Sequence, residues 1–222
     1  MVAPSNTADL FAQLFNTFAT LAILVGVVVF ALMAYLIIRY RAKGAEPDPD
    51  DAPRLGKMPE SRGHLRTAII SVGLSSIVIG VLIFGTLAVN NQINTIPSQC
   101  ALPSNPGQCL YIQVSAYRFG WNFSYPNGAF LNQNLTIPSG RMVVLVISSK
   151  DVFHSFGIDD FRAKKDAIPG LTNKLWFIAN TEGSHLARCF ELCGVGHAFM
   201  TAKVTVVSLG HFQGFCSPSA GC

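Results

Sequence analysis

Two long stretches without a charged side chain, residues 11–38 and 67–89, constrain this 222-residue chain more than any other feature. The first contains the run LAILVGVVVFALMAYLII. A helix rises about 1.5 Å per residue, so about 20 apolar residues cross the roughly 30 Å hydrocarbon core of a bilayer. Both stretches exceed that length. A soluble chain of this size has too little left over to enclose two such helices on every side. The first stretch is too long for a secretory signal peptide, has no basic segment before it and no small-residue cleavage motif after it. It is read as retained, so the sequence predicts two membrane spans. Composition agrees, with charged residues at 13% and mean hydropathy at +0.39, against roughly 25% charged residues in ordinary soluble proteins. A disordered chain, a coiled coil and an ordinary cytosolic enzyme are excluded.

Orientation follows from the connecting loop, residues 39–66. It carries Arg39, Arg41, Lys43, Arg54, Lys57, Arg62 and Arg66, whereas the first ten residues hold no Lys or Arg. By the positive-inside rule the loop is cytoplasmic and both termini lie outside. Its segment EPDPDDAP reads as a solvated connector. Gly73 and Gly80, with Ser76 between them, share one face of the second span and invite another membrane helix. The net charge of +4 is modest and the basic residues form no stripe over a folded domain, so no nucleic-acid partner is expected.

From about residue 94 the pattern changes to short runs rich in β-branched and aromatic residues, broken by Gly, Pro, Asn and Ser. LYIQVSAYRF, GWNFSY, FLNQNLTI, RMVVLVISS, KLWFIAN and MTAKVTVVS each read as strands. Turn signals every ten residues or so argue for a β-sandwich or barrel. Tyr117, Phe119, Trp121, Phe123 and Tyr125 alternate, so on one strand all five would project from one face into a core. In an oxidising outer compartment Cys100 pairs locally with Cys109 and Cys216 with Cys222, although four cysteines allow three pairings. Asn122 and Asn134 head glycosylation sequons.

The chemistry is concentrated in CFELCGVGHAFM, running from Cys189 to Met200. It offers two thiolates four apart, an imidazole four further on and a thioether three after that. His154 lies upstream, just beyond RMVVLVISS. Thiolate, imidazole and thioether ligands together select copper over magnesium, calcium or manganese. Two plainer readings compete. A Cys189–Cys193 disulfide would leave His154, His197 and Met200 unexplained, and a Cys₂His₂ zinc site has no use for Met200. His64, His185 and His211 read as exposed or structural.

The pattern C-x-E-x-C-x₃-H-x₂-M with an upstream His resembles the binuclear CuA centre in subunit II of haem–copper oxygen reductases. Cys189, Glu191, Cys193, His197 and Met200 match in type and spacing, and His154 matches within VFHSF. The segment KKDAIPG, residues 164–170, also resembles the family's linker, and the layout of two spans followed by an outer domain is the family's as well. The resemblance implies a two-helix N-terminal transmembrane hairpin (1–93) plus an all-β cupredoxin domain, a Greek-key β-sandwich (94–222). It implies two copper ions bridged by both cysteines. One also takes His154 and Met200, the other His197 and the backbone carbonyl of Glu191. The Glu191 carboxylate then faces the partner subunit, where relatives use it on a magnesium ion.

The function implied is acceptance of electrons from an external protein donor, passed on to haem in a catalytic membrane subunit I that reduces oxygen to water. Alternatives are the CuA subunit of a nitric oxide reductase and a membrane-anchored copper carrier. No group is arranged for acid–base or nucleophilic catalysis, so oxygen reduction belongs to the partner. The implied setting is a prokaryotic plasma membrane, with the chain multi-pass, in contact with lipid, and its copper domain outside. Three positions depart from the family pattern. Phe119 stands where relatives carry the tryptophan at which electrons enter, leaving Trp121 as the second aromatic of that pair. Leu171 replaces an arginine. Gly63 falls where relatives have a glutamate, with Glu60 and His64 nearby. Beyond residue 94 there are nine Lys/Arg and six Asp/Glu, so no acidic docking face is evident. The donor is expected not to be strongly basic, a small blue-copper protein rather than a cationic c-type cytochrome.

Overall fold

The computed structural model describes residues 3–41, 64–100 and 109–216. The expectations for Glu60, Gly63 and Cys222 lie outside these residues. The chain forms two compact units, one of Met1–Gln13 with Ala88–Cys222, the other of Leu14–Leu87.

The second unit is helical. Helices α1 (Asn6–Arg39) and α2 (Leu65–Asn94) contain 34 and 30 residues, or about 51 and 45 Å of helix. Both are long and apolar enough to cross a membrane. Their large side chains are turned outward, Ile38 and Phe84 among the most exposed, as a lipid-facing helix requires. A Cβ at Gly73 or Gly80 would meet nothing within 4 Å, so among the described residues that small-residue face is open.

The first unit is a sandwich of two five-stranded sheets. In chain order the strands are β1 (Cys109–Tyr117), β2 (Gly120–Ser124), β3 (Phe130–Asn132), β4 (Asn134–Pro138), β5 (Met142–Ser149), β6 (His154–Ile158), β7 (Ala163–Ala167), β8 (Asn173–Ile178), β9 (Gly183–Cys189) and β10 (Thr201–Val207). One sheet runs β3-β2-β1-β5-β8 and the other β4-β10-β9-β6-β7. The pairs β1–β5 and β4–β10 are parallel and the rest antiparallel. A parallel pair cannot be closed by a hairpin, so the chain passes repeatedly from sheet to sheet, which is the Greek-key sandwich of a cupredoxin.

Alternation explains the core. Leu110, Ile112, Val114 and Ala116 of β1 face inward with Leu145 and Ile147 of β5, opposite Phe156, Val204 and Val206. Each large apolar side chain buried in this way contributes about 1.5–3 kcal/mol. Strand β5 reads as an unbroken apolar run because both its faces are covered. Its outer face, Met142 and Val144, packs with Trp176 and the Cys100–Cys109 disulfide in a second small core. Cys216 is also disulfide-bonded. A last short helix, α3 (Leu209–Phe215), is capped by Ser208 Oγ, which accepts from His211 N–H, and buries Phe212. Residues before Gln13 belong to this unit too. Ser5 and Thr7 donate to the Phe161 carbonyl at 3.1 and 2.6 Å, and Asn6 Oδ1 accepts from Ile178 N–H at 2.8 Å.

The aromatic series does not lie on one strand. The chain reverses at Arg118 and Phe119, so that Tyr117 pairs with Gly120 across the β1–β2 hairpin. Trp121, Phe123 and Tyr125 are buried in the core, whereas Tyr117 and Phe119 are only half-buried. The physical reason is Gly120, where a Cβ would stand 2.6 Å from Tyr117 Oη. Only glycine lets the hairpin fold so tightly onto that ring.

Candidate metal centre

The two donor segments meet because strands β6 and β9 pair. Phe156 lies opposite Cys189 in the ladder, and Phe190 N–H donates to the Ser155 carbonyl at 2.8 Å. His154, the first residue of β6, is thereby placed beside Cys189, the last of β9. The loop from 190 to 199 then closes on itself, with Cys189 N–H donating to the Met200 carbonyl at 3.0 Å. His154 and Met200 are fully buried, and Cys189 and Cys193 nearly so.

Cys189 and Cys193 are free thiols, their sulfurs 3.9 Å apart. His154 Nδ1 lies 3.8 Å from Cys189 Sγ, His197 Nδ1 3.6 Å from Cys193 Sγ, and Met200 Sδ 3.8 Å from Cys193 Sγ. The Glu191 carbonyl lies 3.2 Å from Cys189 Sγ. Metal–sulfur bonds of about 2.3 Å and metal–nitrogen bonds of about 2.0–2.1 Å imply tetrahedral donor–donor edges of roughly 3.5–3.8 Å. The sulfur–sulfur and sulfur–nitrogen spacings, 3.6 to 3.9 Å, lie close to those edges. The donors of His154, Cys189 and Cys193 all lie within 4.8 Å of one another, but His197 is not part of that set. Each sulfur therefore has its own imidazole.

His154 is oriented from behind. With Nδ1 turned toward the sulfurs, its Nε2–H donates to Asp151 Oδ1 at 2.9 Å, as metal-ligating histidines usually do to a carboxylate. Asp151 also accepts from the N–H groups of Val152 and Arg118, each at 2.7 Å. Burial raises its pKa, but the His154 hydrogen bond and these two N–H donors outweigh that and hold the carboxyl well below the usual carboxylate range. Burial, followed by the adjacent Cys189 sulfur, pushes the Cys193 thiol up to about 11, so a metal entering here releases protons.

The aromatic neighbours divide. The Trp121 ring lies 6.1 Å from the His154 ring at an interplanar angle of 66° and is fully buried. Phe119 lies flat on the donor loop, where a Cβ at Gly196 would stand 2.5 Å from its ring and one at Gly194 3.2 Å. His185 is elsewhere, its Nδ1 paired with Asp160 at 2.7 Å and its ring against Phe161. Asp151 and Arg118 escaped the sequence reading. Their only signal was a carboxylate three residues before the upstream histidine, in KDVFH.

A cupredoxin sandwich with a buried cluster of thiolate, imidazole and thioether donors, in a chain with two long apolar helices, defines the class. Residues 114–207 match the family model of the periplasmic domain of cytochrome c oxidase subunit II. The chain is 30% identical over 220 residues to the heme-copper oxidase subunit 2 of Aeropyrum pernix, spanning 93% of this chain and 88% of that protein. It is 31% identical over 193 residues to the cytochrome c oxidase subunit 2 of Alkalihalophilus pseudofirmus, covering 86% of this chain but 53% of that longer protein. Among solved structures, the periplasmic domain of the Bradyrhizobium japonicum oxidase subunit II aligns with a TM-score of 0.46 at 28% identity, covering 48% of this chain and 89% of that domain. The chain belongs to the subunit II family of haem–copper oxidases.

Proposed function

We propose that this chain is the electron-accepting subunit of a terminal respiratory oxidase and that its donor cluster holds two copper ions. The observation that carries this is the pairing of two unlinked thiols 3.9 Å apart with separate imidazoles. One tetrahedral ion would need all four donors within edge distance of one another, and His197 falls outside that set. Two ions would make use of every donor, with Cys189 and Cys193 serving both, His154 and Met200 holding one, and His197 and the Glu191 carbonyl holding the other. A copper pair bound there would supply a one-electron redox centre spread over two soft-ligated metals.

The protein's part is rigidity and exclusion of water. Strand ends hold His154 and Cys189, Asp151 fixes the His154 ring, and Met200 closes the cluster from the core side. Phe119, with Trp121 beneath, covers the donor loop and is our assignment for the place where electrons enter. The Glu191 carboxylate is left over from the donor set, and we assign it to a magnesium ion shared with the haem-bearing partner. The basic loop between the helices supports an orientation with the β unit outside the plasma membrane.

The test is copper content and EPR of the full-length chain purified in detergent. Two coppers per chain, with one unpaired electron shared over both nuclei, is the expected result. A single copper, or preferential retention of zinc, refutes the reading.

A further inference from the structure

We propose that the surface around Phe119 is a docking site for an electron donor with an acidic contact face. This rests on the electron-accepting role proposed above and specifies its partner. The first observation is where the carboxylates go. Of the six that follow residue 94, Asp151 is held by Arg118, Val152 and His154. Asp159 pairs with Arg188, Asp160 with His185, and Asp166 accepts from Ser155 Oγ at 2.8 Å. Among the described residues only Glu182 and Glu191 of these carboxylates have no side-chain partner, and Glu191 lies in the donor loop itself. The second observation is where the cations stand. Arg118 adjoins Phe119 and is 51% exposed, with only its Nε engaged by Asp151 at 3.3 Å. Among the described residues its two terminal amino groups have no bonded partner, which leaves them for the bidentate grip that guanidinium makes on a carboxylate.

Lys150 is exposed, and its N–H donates to the Ala116 carbonyl at 2.9 Å. The β1–β5 register, which ends at Ala116 opposite Ser149, sets it at the same edge as Arg118. Next to them in the chain are apolar residues, the half-buried Phe119 after Arg118 and the exposed Phe153 three residues after Lys150. A small apolar centre with a cationic rim steers and holds an acidic protein, and repels a basic one, because association rates follow the complementarity of the two potentials. Arg118 has a second part to play. Its N–H and Nε both hold the carboxylate that orients His154, so a donor gripping its amino groups touches the group that positions the metal ligand.

The experiment uses the full-length chain in detergent and two probes, a plastocyanin-type blue-copper protein with an acidic patch and a strongly basic c-type cytochrome. Binding is measured with metal-free chain and redox-silent probe, and reduction by stopped flow with copper-loaded chain. Ionic strength is varied from about 10 mM to about 150 mM, shortening the screening length from about 30 Å to about 8 Å. The acidic probe is expected to bind more tightly at low salt, to reduce the chain about tenfold faster there, and to lose about three- to tenfold of both with Lys150→Glu, which touches no proposed ligand. Stronger low-salt binding of the basic cytochrome, or acidic-probe binding indifferent to salt and to Lys150→Glu, overturns the proposal. Reduction by a small uncharged mediator separates the two readings. Its failure would sink the electron-accepting role, whereas the metal-free binding data decide the docking surface by themselves.

Discussion

Replacing Gly196 by alanine isolates the contact between the donor loop and Phe119. Gly196 has φ of −94°, which any residue adopts, so the backbone brings no strain of its own. The added Cβ would stand 2.5 Å from Phe119 Cδ2, against an optimum of about 3.5–4.0 Å between carbons. The ring or the loop must move by about 1 Å, and such overpacking costs about 1–3 kcal/mol. For a domain of about 100 residues, with about 4–8 °C per kcal/mol, a fall in Tm of roughly 4–24 °C is expected. The assay is thermal unfolding of the metal-free, full-length chain, measured for Gly196→Ala with Phe119 present and in a Phe119→Ala background. With the ring gone the same Cβ has room, so its cost should drop below about 0.5 kcal/mol, and the cycle should show coupling of about 1 kcal/mol or more. An equal cost in both backgrounds would mean that Phe119 is not seated on the loop, and the covering role assigned to it would fall.

Asp151→Ala removes the acceptor of His154 Nε2–H and should weaken copper affinity about 10–100-fold, read by competition with a chelator; unchanged affinity would show that the hydrogen bond does not position the ligand. Tyr125 Oη donates to the Thr136 carbonyl at 2.9 Å and accepts from its N–H at 2.7 Å. Burial raises its pKa in the folded chain above the ordinary value of 10.0, so its contribution is intact below pH 10 and is lost as the unfolded chain ionises above it. Denaturation of wild type and Tyr125→Phe between about pH 9 and 12 should show the variant losing less stability over that range, and parallel curves would contradict it. Removing the Cys100–Cys109 bridge, whose cysteines are nine residues apart, with a double alanine variant should cost about 2–3 kcal/mol by loss of loop closure; an unchanged denaturant midpoint would argue that the small core around Trp176 holds without it.

The sheet containing β1, β2, β5 and β8 was legible because its strands are runs such as YIQV and MVVLVIS, where β-branched residues announce themselves. Three of the five strands of the other sheet were not. Strands β6, β7 and β9 read HSFGI, AKKDA and GSHLARC, with glycine, lysine and histidine in place of a hydrophobic pattern. They are strands because their neighbours pair with them, and short polar segments carry no local mark of that. The candidate donors of the loop, Cys189, Cys193, His197 and Met200, stood out by their spacing of four, four and three, which a short loop can bring together with little tertiary context, whereas His154 joins them only through the pairing of β6 with β9. Their support was not readable. Asp151 and Arg118 act through a hairpin turn and a crossover that bring residues thirty-three apart into contact. Reading five aromatics as one strand failed for the same reason, because the reversal at Arg118 and Phe119 depends on the Tyr117 ring covering Gly120.

The bond from Thr7 to the Phe161 carbonyl joins residues 154 apart in the chain. At about 5–20 residues per second, a ribosome needs roughly 8–30 s to make the second after the first. The segment from Ser5 to Thr7 therefore has to wait for these acceptors while the β unit is made, and it can clasp only a sandwich whose β6–β7 turn is already formed. It acts as a late latch on assembly. A chain whose β unit misfolds would leave Ser5 and Thr7 without the Phe161 carbonyl and Asn6 without the Ile178 N–H, so the clasp of this segment reports on the folding of a strand turn made long after it.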